Sequence, residues 1–470
     1  MAEPLTPRRY RFGPQNSRGM LGAVRWEQVA LVFVTLAFAV AVLRAGLGGA
    51  GSAVALLIAC VGIAGATWRM GGRTLQQWLP VFAKFIVAGL WGSRRGVSRG
   101  SHVAAESQRA LSPFKALEVM TLHTPRGDVG VVVDRSHRTL SAVVRLRGAP
   151  FALLDDAARQ RIVDAWSGVL AALAQQPGSI YRLSWIEQTI PDHALSLAGA
   201  ATTVFAESAD LALIDARRSY LSLLERESTA AFRHESLLVV TVRGTVNVHG
   251  ELPVEIGESL SAVANRCAEA GLEVEGLVTP DGVRATLART FVSSANLPRP
   301  APVFPLATNE EWAALRTDGT WHATYWIAEW PRSDVANDFL LPFLLEAGFR
   351  RSVVVVMAPQ AIGRAVKEAE RARTEKAADV DLRRRHGFAQ TAKSSREQDA
   401  VKQRESELAA GHGAFRFGGY VVVTAASKTE LELDCARTEQ AAARAHLALR
   451  RLYGAQREAL FFGLPLGRGL

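Results

Sequence analysis

The fold of this chain is decided by two apolar stretches near its N-terminus, WEQVALVFVTLAFAVAVL (residues 26–43) and SAVALLIACVGIAGATW (residues 52–68). They are eighteen and seventeen residues long. That length is close to the shortest helix able to cross a hydrocarbon core of roughly 30 Å. The residues between them, 44–51, are rich in glycine and too few to form a domain. The pattern predicts a two-helix transmembrane hairpin with a short turn.

The basic residues are concentrated around this hairpin. Residues 1–100 contain twelve Lys/Arg and two acids, and the other 370 residues contain 43 of each sign, so the net charge of +10 lies in the N-terminal segment. Most of these basic residues flank the hairpin, whereas its turn carries only Arg44. By the positive-inside rule, both ends of the hairpin should face the cytoplasm. Because the remaining chain is neutral overall, we expect no sequence-specific nucleic-acid binding, whose affinity depends on phosphate neutralisation.

The segment that follows the hairpin, residues 74–91, is apolar but contains Lys84, Pro80 and two glutamines. This composition predicts an interfacial helix that lies along the cytoplasmic membrane surface. The alternative is a third span, which would place the body of the protein outside the cell. The basic cluster Arg94, Arg95 and Arg99 directly after the segment argues against translocation.

Tryptophans lie at the predicted membrane boundaries, where their amphipathic rings favour the headgroup layer. The candidate interface anchors are Trp26, Trp68, Trp78 and Trp91. Two other interpretations of the N-terminal region are open. A cleaved signal peptide would have a shorter apolar core and no second core directly after it. A buried hairpin inside a soluble protein would rarely lack charge over such a length.

The chain is predicted to contain three domains: a membrane domain (1–100) and two cytoplasmic α+β domains (113–295 and 306–470). Mixed strands and helices predict an α/β fold, more closely an α+β arrangement of ferredoxin-like units. In the first cytoplasmic domain, the predicted strands are 129–133, 140–146, 180–190 and 237–242, and the predicted helices begin at Asp155–Asp156 or cover 209–227, 258–270 and 280–291.

The second cytoplasmic domain follows a proline-rich boundary at residues 296–305. A polar stretch, 360–410, predicts a projecting helical hairpin. Ser427 and Glu430 form a capping box that starts a final helix, whose apolar stripe continues to Leu452. The other predicted elements are strands at 324–327, 352–357 and 420–424 and a helix at 338–347.

The sequence contains no recognisable catalytic, cofactor or metal pattern. None of the seven lysines follows a glycine, so a P-loop is excluded. The histidines are dispersed, and the three cysteines lie outside any CxxC motif. The acid pairs Asp155/Asp156 and Glu310/Glu311 occur where helices should begin, which favours capping over acid–base chemistry. Arg383–His386 could bind phosphate or acidic lipid, although a solvated helix tip is the simpler interpretation. We therefore expect no enzyme and no cofactor.

Several short strings resemble proteins of type IV secretion and conjugation systems. The entry RYRFGP and the hairpin after it resemble the PrgI family of small inner-membrane proteins. The body resembles the N-terminal, non-ATPase part of the conjugative ATPase that partners them. The strings are RYRFGP (9–14), GDVG (127–130), FALLD (151–155), YRLSW (181–185) and ALFFGLPLG (459–467).

The whole arrangement is similar to an actinobacterial family in which hairpin and accessory domain are fused and the ATPase is a separate chain. The resemblance implies a multi-pass, non-catalytic subunit of a translocation complex with both termini in the cytoplasm. Its partners would be the lipid bilayer, a separate P-loop motor ATPase and other membrane subunits, within an oligomeric complex. The alternatives are a type VII secretion E-like membrane component and a membrane-anchored enzyme with an unrecognised site.

Overall fold

The computed structural model of the chain describes residues 10, 12, 26–44, 48–67, 69–70, 73–92, 94–97, 114–147, 151–175, 180–191, 215, 219–220, 222, 232–247, 251–291, 303–346, 348–385, 392–409 and 413–470. The chain divides into two compact units. The unit that we call the body contains residues 1–13, 95–452 and 456–470. The unit that we call the anchor contains residues 14–94 and 453–455.

The anchor is mainly helical. A short antiparallel pair of strands lies between its second and third helices. Its elements are α1 (Trp26–Arg44), α2 (Gly48–Thr67), β1 (Arg69–Met70), β2 (Arg73–Thr74) and α3 (Leu75–Leu90). Helix α1 coincides with the first predicted span, and α2 begins four residues before the second. Within the predicted segment 74–91, α3 confirms the helical form of residues 75–90, whereas Thr74 belongs to β2 and Trp91 follows the helix.

In the part of the chain that the structure describes, the body is built on one antiparallel sheet of thirteen strands. The strands are β3 (Arg95–Val97), β4 (Leu117–Thr124), β5 (Gly127–Asp134), β6 (Thr139–Leu146), β7 (Arg182–Pro191), β8 (Phe232–Arg243), β9 (Val274–Leu277), β10 (Ala307–Glu310), β11 (Leu315–Thr317), β12 (Thr320–Glu329), β13 (Arg350–Gln360), β14 (Ala414–Ala425) and β15 (Ala448–Arg451). The helices are α4 (Asp156–Ala174), α5 (Val254–Glu269), α6 (Pro280–Phe291), α7 (Leu341–Leu344), α8 (Ile362–Arg385), α9 (Ala392–Ala409), α10 (Lys428–Arg444) and α11 (Gln456–Leu460).

The sheet contains the same topology twice. In the first half, the elements β6-α4-β7-β8-α5-β9 form a βαββαβ unit with the strand order β9-β6-β8-β7. In the second half, β12-α7-β13-β14-α10-β15 form the equivalent unit with the order β15-β12-β14-β13. Strands β7 and β13 pair antiparallel and join the two units. The predicted regions 113–295 and 306–470 thus correspond to two halves of one sheet.

Each half carries the same additions. A hairpin, β4-β5 or β10-β11, extends the outer edge of its βαββαβ unit. A helical insertion lies between the second and third strands of the unit. In the second half this insertion is the α8–α9 hairpin, as predicted for 360–410. In the first half only residues 215, 219, 220 and 222 are described, and all are helical. The rest of the predicted helix 209–227 lies outside the described residues.

Both faces of the sheet are covered, which is why strands such as β5, β13 and β14 contain continuous β-branched runs instead of alternating ones. On one face, α4 and α5 pack over the first half and α7 and α10 over the second, and the two clusters meet at Val355. The opposite face carries one shared core, formed by α6, α11 and the C-terminal segment. In this core the ring of Phe461 stacks on that of Phe114, and the two ring centroids are 4.8 Å apart.

The C-terminal segment after α11 crosses from the second half to the first. Arg182 of β7 donates to the carbonyl of Gly467 at 2.8 Å, and Arg468 donates to Asp134 of β5 at 2.7 Å. A Cβ atom at Gly467, where φ is +60°, would lie 2.2 Å from Oγ1 of Thr241. Only glycine therefore lets the segment pass so close to β8.

Two predicted helices are wrong in length. The helix expected at 338–347 is the single turn α7, because Arg351 donates to the carbonyls of Phe343, Leu344 and Glu346 and ends it there. The final helix was expected to reach Leu452, but α10 ends at Arg444. His446 adopts φ +56°, and the chain then returns to the sheet as β15. The predicted cap at Ser427 is confirmed, since its hydroxyl accepts from the Glu430 N–H at 3.2 Å. The reciprocal bond differs from that of a capping box, because Glu430 accepts from the N–H of Ala426, one residue before the cap.

Candidate functional site

Small residues form the contact between α1 and α2. The buried positions of this helical pair are Ala39 in α1 and Gly51, Ala55, Gly62 and Gly65 in α2. A Cβ atom at Gly62 would lie 2.2 Å from Oγ1 of Thr35, so the helices touch backbone to side chain at this point. The Thr35 hydroxyl donates to the carbonyl of Val32 at 3.0 Å. Close approach through small residues is typical of helices that pack in lipid.

The outer surface of the same hairpin is made of large apolar side chains. Phe33 is 72% exposed, and Leu56 and Leu57 are 68% and 65% exposed. Others on this surface are Val34, Leu36, Phe38, Val40, Leu43, Val54, Val61 and Ile63. A contiguous apolar surface of this kind marks a contact with protein or lipid, because water does not favour it. The spacing of the small residues in the sequence of α2 already indicated which face of this helix packs against α1. The sequence-based prediction did not use this signal.

Helix α3 also exposes an apolar side. Leu79, Phe82, Ile86 and Leu90 follow one another at intervals of three and four residues, so they share one side of the helix. Leu79 and Leu90 are 69% and 79% exposed. Lys84 lies outside this stripe and is exposed as well. An apolar stripe on a short helix with a basic residue beside it is the pattern expected of a helix at a membrane interface.

The structure places the four candidate tryptophans differently. Trp26 is the first residue of α1, and only its backbone is described. Trp68 lies outside the described residues. Trp78 is buried within the anchor, where its ring lies 6.1 Å from that of Phe82. Trp91 directly follows α3 and is 84% exposed. Of the four, Trp91 is therefore the one whose described ring is available to a membrane surface.

A buried histidine lies at the centre of a polar cluster in the body. Nε2 of His322 lies 2.8 Å from Oγ1 of Thr317 and 3.0 Å from Oγ1 of Thr320, and Nδ1 lies 2.9 Å from Oγ1 of Thr424. Burial, assisted by the nearby Arg350 charge, lowers the pKa of His322 to about 3. The imidazole is thus neutral and enclosed by three hydroxyls. It stabilises strand pairing and is not accessible to a substrate.

The body cysteines are poor nucleophiles. Cys267 belongs to the core under α4 and α5, and Cys435 to the core under α10. Burial raises the pKa of each thiol to about 11. Among the described residues, no group of three or more His, Cys, Asp or Glu side chains is arranged to hold a metal ion.

The carboxylates singled out in the sequence have structural partners. Asp155 accepts from the Ala158 N–H at 2.7 Å and caps α4. The prediction that Glu310 and Glu311 begin a helix is wrong, because Glu310 ends strand β10. Glu310 accepts from the Arg457 N–H at 2.9 Å, and Glu311 lies 2.6 Å from Nζ of Lys428. Of the run Arg383–His386 at the tip of the α8–α9 hairpin, only the side chain of Arg385 is described, and it is exposed. The candidate functional site is therefore the apolar outer surface of the anchor.

No known family model matches this chain, and no curated protein is detectably similar to it in sequence. When only described residues are considered, no helix meets both the length and the apolarity that crossing a membrane requires. The function has to be argued from the residues themselves.

Proposed function

We propose that this chain is an integral membrane protein in which α1 and α2 span the cell membrane and the body lies in the cytoplasm. The observation that carries the proposal is the polarity of the hairpin, whose small residues face inward and whose large apolar residues face outward. In water, this arrangement would leave a large apolar area unburied. In lipid, it satisfies the backbone within each helix and gives the side chains an apolar solvent.

The distribution of charge supports the orientation. Arginines precede α1 and follow α2, and Arg44 at the end of α1 is alone at the turn. The exposed apolar stripe of α3 and the exposed ring of Trp91 favour an interfacial position for that helix over a third span. Both termini of the chain would then be cytoplasmic.

For the body, we propose a non-catalytic role in a type IV secretion or conjugation-like complex, where it docks a separate motor ATPase at the membrane. The support is the resemblance of the sequence together with the two βαββαβ units, which have the strand order of ferredoxin-like domains. The imidazole of His322 and the thiols of Cys267 and Cys435 are enclosed in the body. Residues 1–470 contain no P-loop, and the proposal therefore assigns the motor activity to a separate chain.

The topology is tested by adding a protease-cleavable tag before Met1 in the full chain. In spheroplasts, the tag should resist an external protease and become cleavable only after lysis. A second tag placed in the turn between α1 and α2, between Gly46 and Leu47, serves as the control and should be cleaved from outside. A tag before Met1 that is cleaved in intact spheroplasts would contradict the proposed orientation.

The partner is tested by purifying the tagged full chain from detergent-solubilised membranes and identifying what accompanies it. Recovery of a P-loop ATPase of the conjugative type would support the docking role. Recovery of a type VII secretion ATPase instead would contradict it. The same preparation, incubated with ATP alone, should show no hydrolysis once the partner ATPase has been removed.

A further inference from the structure

Two residues near the N-terminus, Tyr10 and Phe12, contact other residues of the body that lie far from them in the sequence. We call this pair the strap. Tyr10 forms an isolated antiparallel bridge with Val335, in which the Tyr10 N–H donates to the Val335 carbonyl at 2.8 Å and the reverse bond measures 3.0 Å. The Tyr10 hydroxyl also donates to Oε1 of Gln160 at 3.0 Å. Residues of both halves of the body therefore contact Tyr10.

Phe12 fills a slot made of three aromatic rings, Trp330, Phe339 and Phe417, which we call the aromatic slot. Its ring stacks on Trp330 at 5.2 Å with an angle of 24° between the planes. The centroid of the Phe12 ring lies 5.3 Å from that of Phe339, with an angle of 61° between the planes. It lies 6.2 Å from that of Phe417, with an angle of 59°. Stacked and edge-on pairs at these separations are favourable beyond the area that they bury.

The sequence of this segment fits the geometry. Residues two apart in an extended chain point to the same side. In Arg9-Tyr10-Arg11-Phe12, the two aromatic residues have this spacing, and both contact the body. A backbone bridge with side-chain pockets for alternate residues is a recurrent way in which proteins bind extended peptides.

Among the described residues, few contacts hold the strap. They are the isolated bridge, the hydrogen bonding between the Tyr10 hydroxyl and the side chain of Gln160, and the inserted Phe12 ring. Segments with few buried contacts open at low free-energy cost while the rest of the fold stays intact. Covalent attachment favours the closed form, because a tethered segment has an effective concentration in the millimolar range.

We propose that the aromatic slot is a recognition site for an extended Tyr-X-Phe segment, and that residues 10–12 of the same chain fill it as a releasable strap. Thirteen residues, 13–25, connect the strap to α1. If α1 spans the membrane as proposed above, strap release would free the cytoplasmic flank of the first span. Binding of the strap to the aromatic slot does not depend on whether α1 spans a membrane. Detergent-solubilised full-length protein therefore tests strap binding separately from the proposed membrane position.

A disulfide trap tests whether the strap binds its own chain. Residues that exchange both backbone bonds in an antiparallel pair have Cα atoms about 5.5 Å apart, within the range of a disulfide. In a Cys60→Ser background, Tyr10→Cys with Val335→Cys should form an intramolecular bond, seen as a monomer that loses two hydrogens by intact mass. Tyr10→Cys with Val254→Cys is the control and should stay reduced. A disulfide-linked dimer, or no bond at all, would overturn occupancy by the same chain.

Trypsin cleavage after Arg11 tests the role of the Phe12 ring. Because a protease needs an extended, detached substrate, the closed strap should protect this bond. Phe12→Ala should increase the cleavage rate at least tenfold, whereas Phe12→Trp should keep it close to that of the original protein. Equal rates for Phe12→Ala and the original protein would show that the ring does not hold the strap.

Peptide binding tests recognition by the slot. A fluorescein-labelled peptide with the sequence PRRYRFGP, identical to residues 7–14, should bind the Phe12→Ala variant more tightly than the original protein, whose slot is occupied. The same peptide with alanine in place of tyrosine and phenylalanine should bind neither. Equal binding of the two peptides to the Phe12→Ala variant would contradict recognition of the aromatic residues.

Discussion

Phe461 in the body is fully buried, whereas Phe33 in the anchor is 72% exposed. The same contrast extends further. The body encloses aromatic and branched side chains, whereas the α1–α2 hairpin of the anchor encloses glycine and alanine and turns its large residues outward. The difference lies in which side chains are removed from the surroundings, and the membrane position proposed for the anchor rests on this difference.

Polar groups show the same contrast. The body buries His322 together with three threonine hydroxyls that satisfy its ring nitrogens. In the anchor, the described hydroxyl at the helix contact, that of Thr35, is satisfied within its own helix. A folded body in water can bury a polar cluster between strands, whereas a span in lipid has to satisfy each group locally.

The largest expected effect comes from placing charge on the outer surface of the anchor. Leu56→Arg with Leu57→Arg adds two guanidinium groups near the middle of α2. Each costs about 3 kcal/mol in insertion experiments on spanning helices. The variant should therefore be largely lost from the membrane fraction, as measured by fractionation and immunoblotting.

The matched control places the same charges on exposed apolar residues of the body. Leu153 and Val254 are 86% and 71% exposed, so Leu153→Arg with Val254→Arg should leave membrane association unchanged. Equal losses in the two double variants would contradict the difference between the regions.

The second-largest expected effect is a change in the free energy of unfolding when a phenyl ring is removed. Phe461→Ala should lower the free energy of unfolding of the body by about 3–5 kcal/mol, because it leaves a cavity in the shared core. Urea unfolding of the detergent-solubilised chain, followed by tryptophan fluorescence, measures this. Phe33→Ala in the anchor should change the same transition by less than about 0.5 kcal/mol. A similar loss for both variants would show that Phe33 is also a core residue of a water-soluble fold.

A smaller effect should appear in the pH dependence of the body. Since burial lowers the pKa of His322 to about 3, the unfolded chain binds a proton that the folded chain excludes. This contribution to stability is complete above the unfolded pKa of about 6.5 and is lost as the pH falls towards 3. Between pH 7 and pH 5, it should amount to about 2 kcal/mol.

The control for this pH effect is His322→Gln, which cannot titrate. Urea unfolding at pH 7 and pH 5 should show a smaller loss for the variant than for the original protein. The difference between the two proteins removes the contribution of the carboxylates that titrate in both. An identical pH dependence would mean that His322 is protonated in the folded body.

The smallest expected effect is at the α8–α9 hairpin. Arg373 and Glu405 join its two helices at 2.9 Å, but their side chains are 64% and 33% exposed. A solvent-exposed ion pair contributes less than about 1 kcal/mol. Arg373→Ala should therefore leave the thermal unfolding of the body almost unchanged, as followed by circular dichroism. A large destabilisation would indicate that this hairpin belongs to the core.

The sequence was sufficient for elements with a strong local pattern. The helices α1 and α6 and the strands β5 and β6 lie close to their predicted positions, because their apolar runs are long and their boundaries carry caps or turns. The Ser427–Glu430 cap is of the same kind. These features depend only on residues a few positions apart, and such patterns can be read directly.

Features that depend on distant residues could not be read in this way. Strands β10 and β11 have four and three residues, too few to show a period. Arg351 ends α7 by binding carbonyls that no local rule connects to it. The pairing of β7 with β13, which joins the halves into one sheet, and the contact of Tyr10 with Val335 both join residues that are far apart in sequence.

The most direct test of the membrane anchor uses Cys60 in the unaltered chain. This thiol is exposed on α2, whereas Cys267 and Cys435 are buried in the body. The account predicts that a charged, water-soluble maleimide will leave Cys60 unlabelled in native membranes and label it only after denaturation in SDS, as read by intact mass. Rapid labelling of Cys60 in the folded protein would show that α2 faces water and would contradict the account.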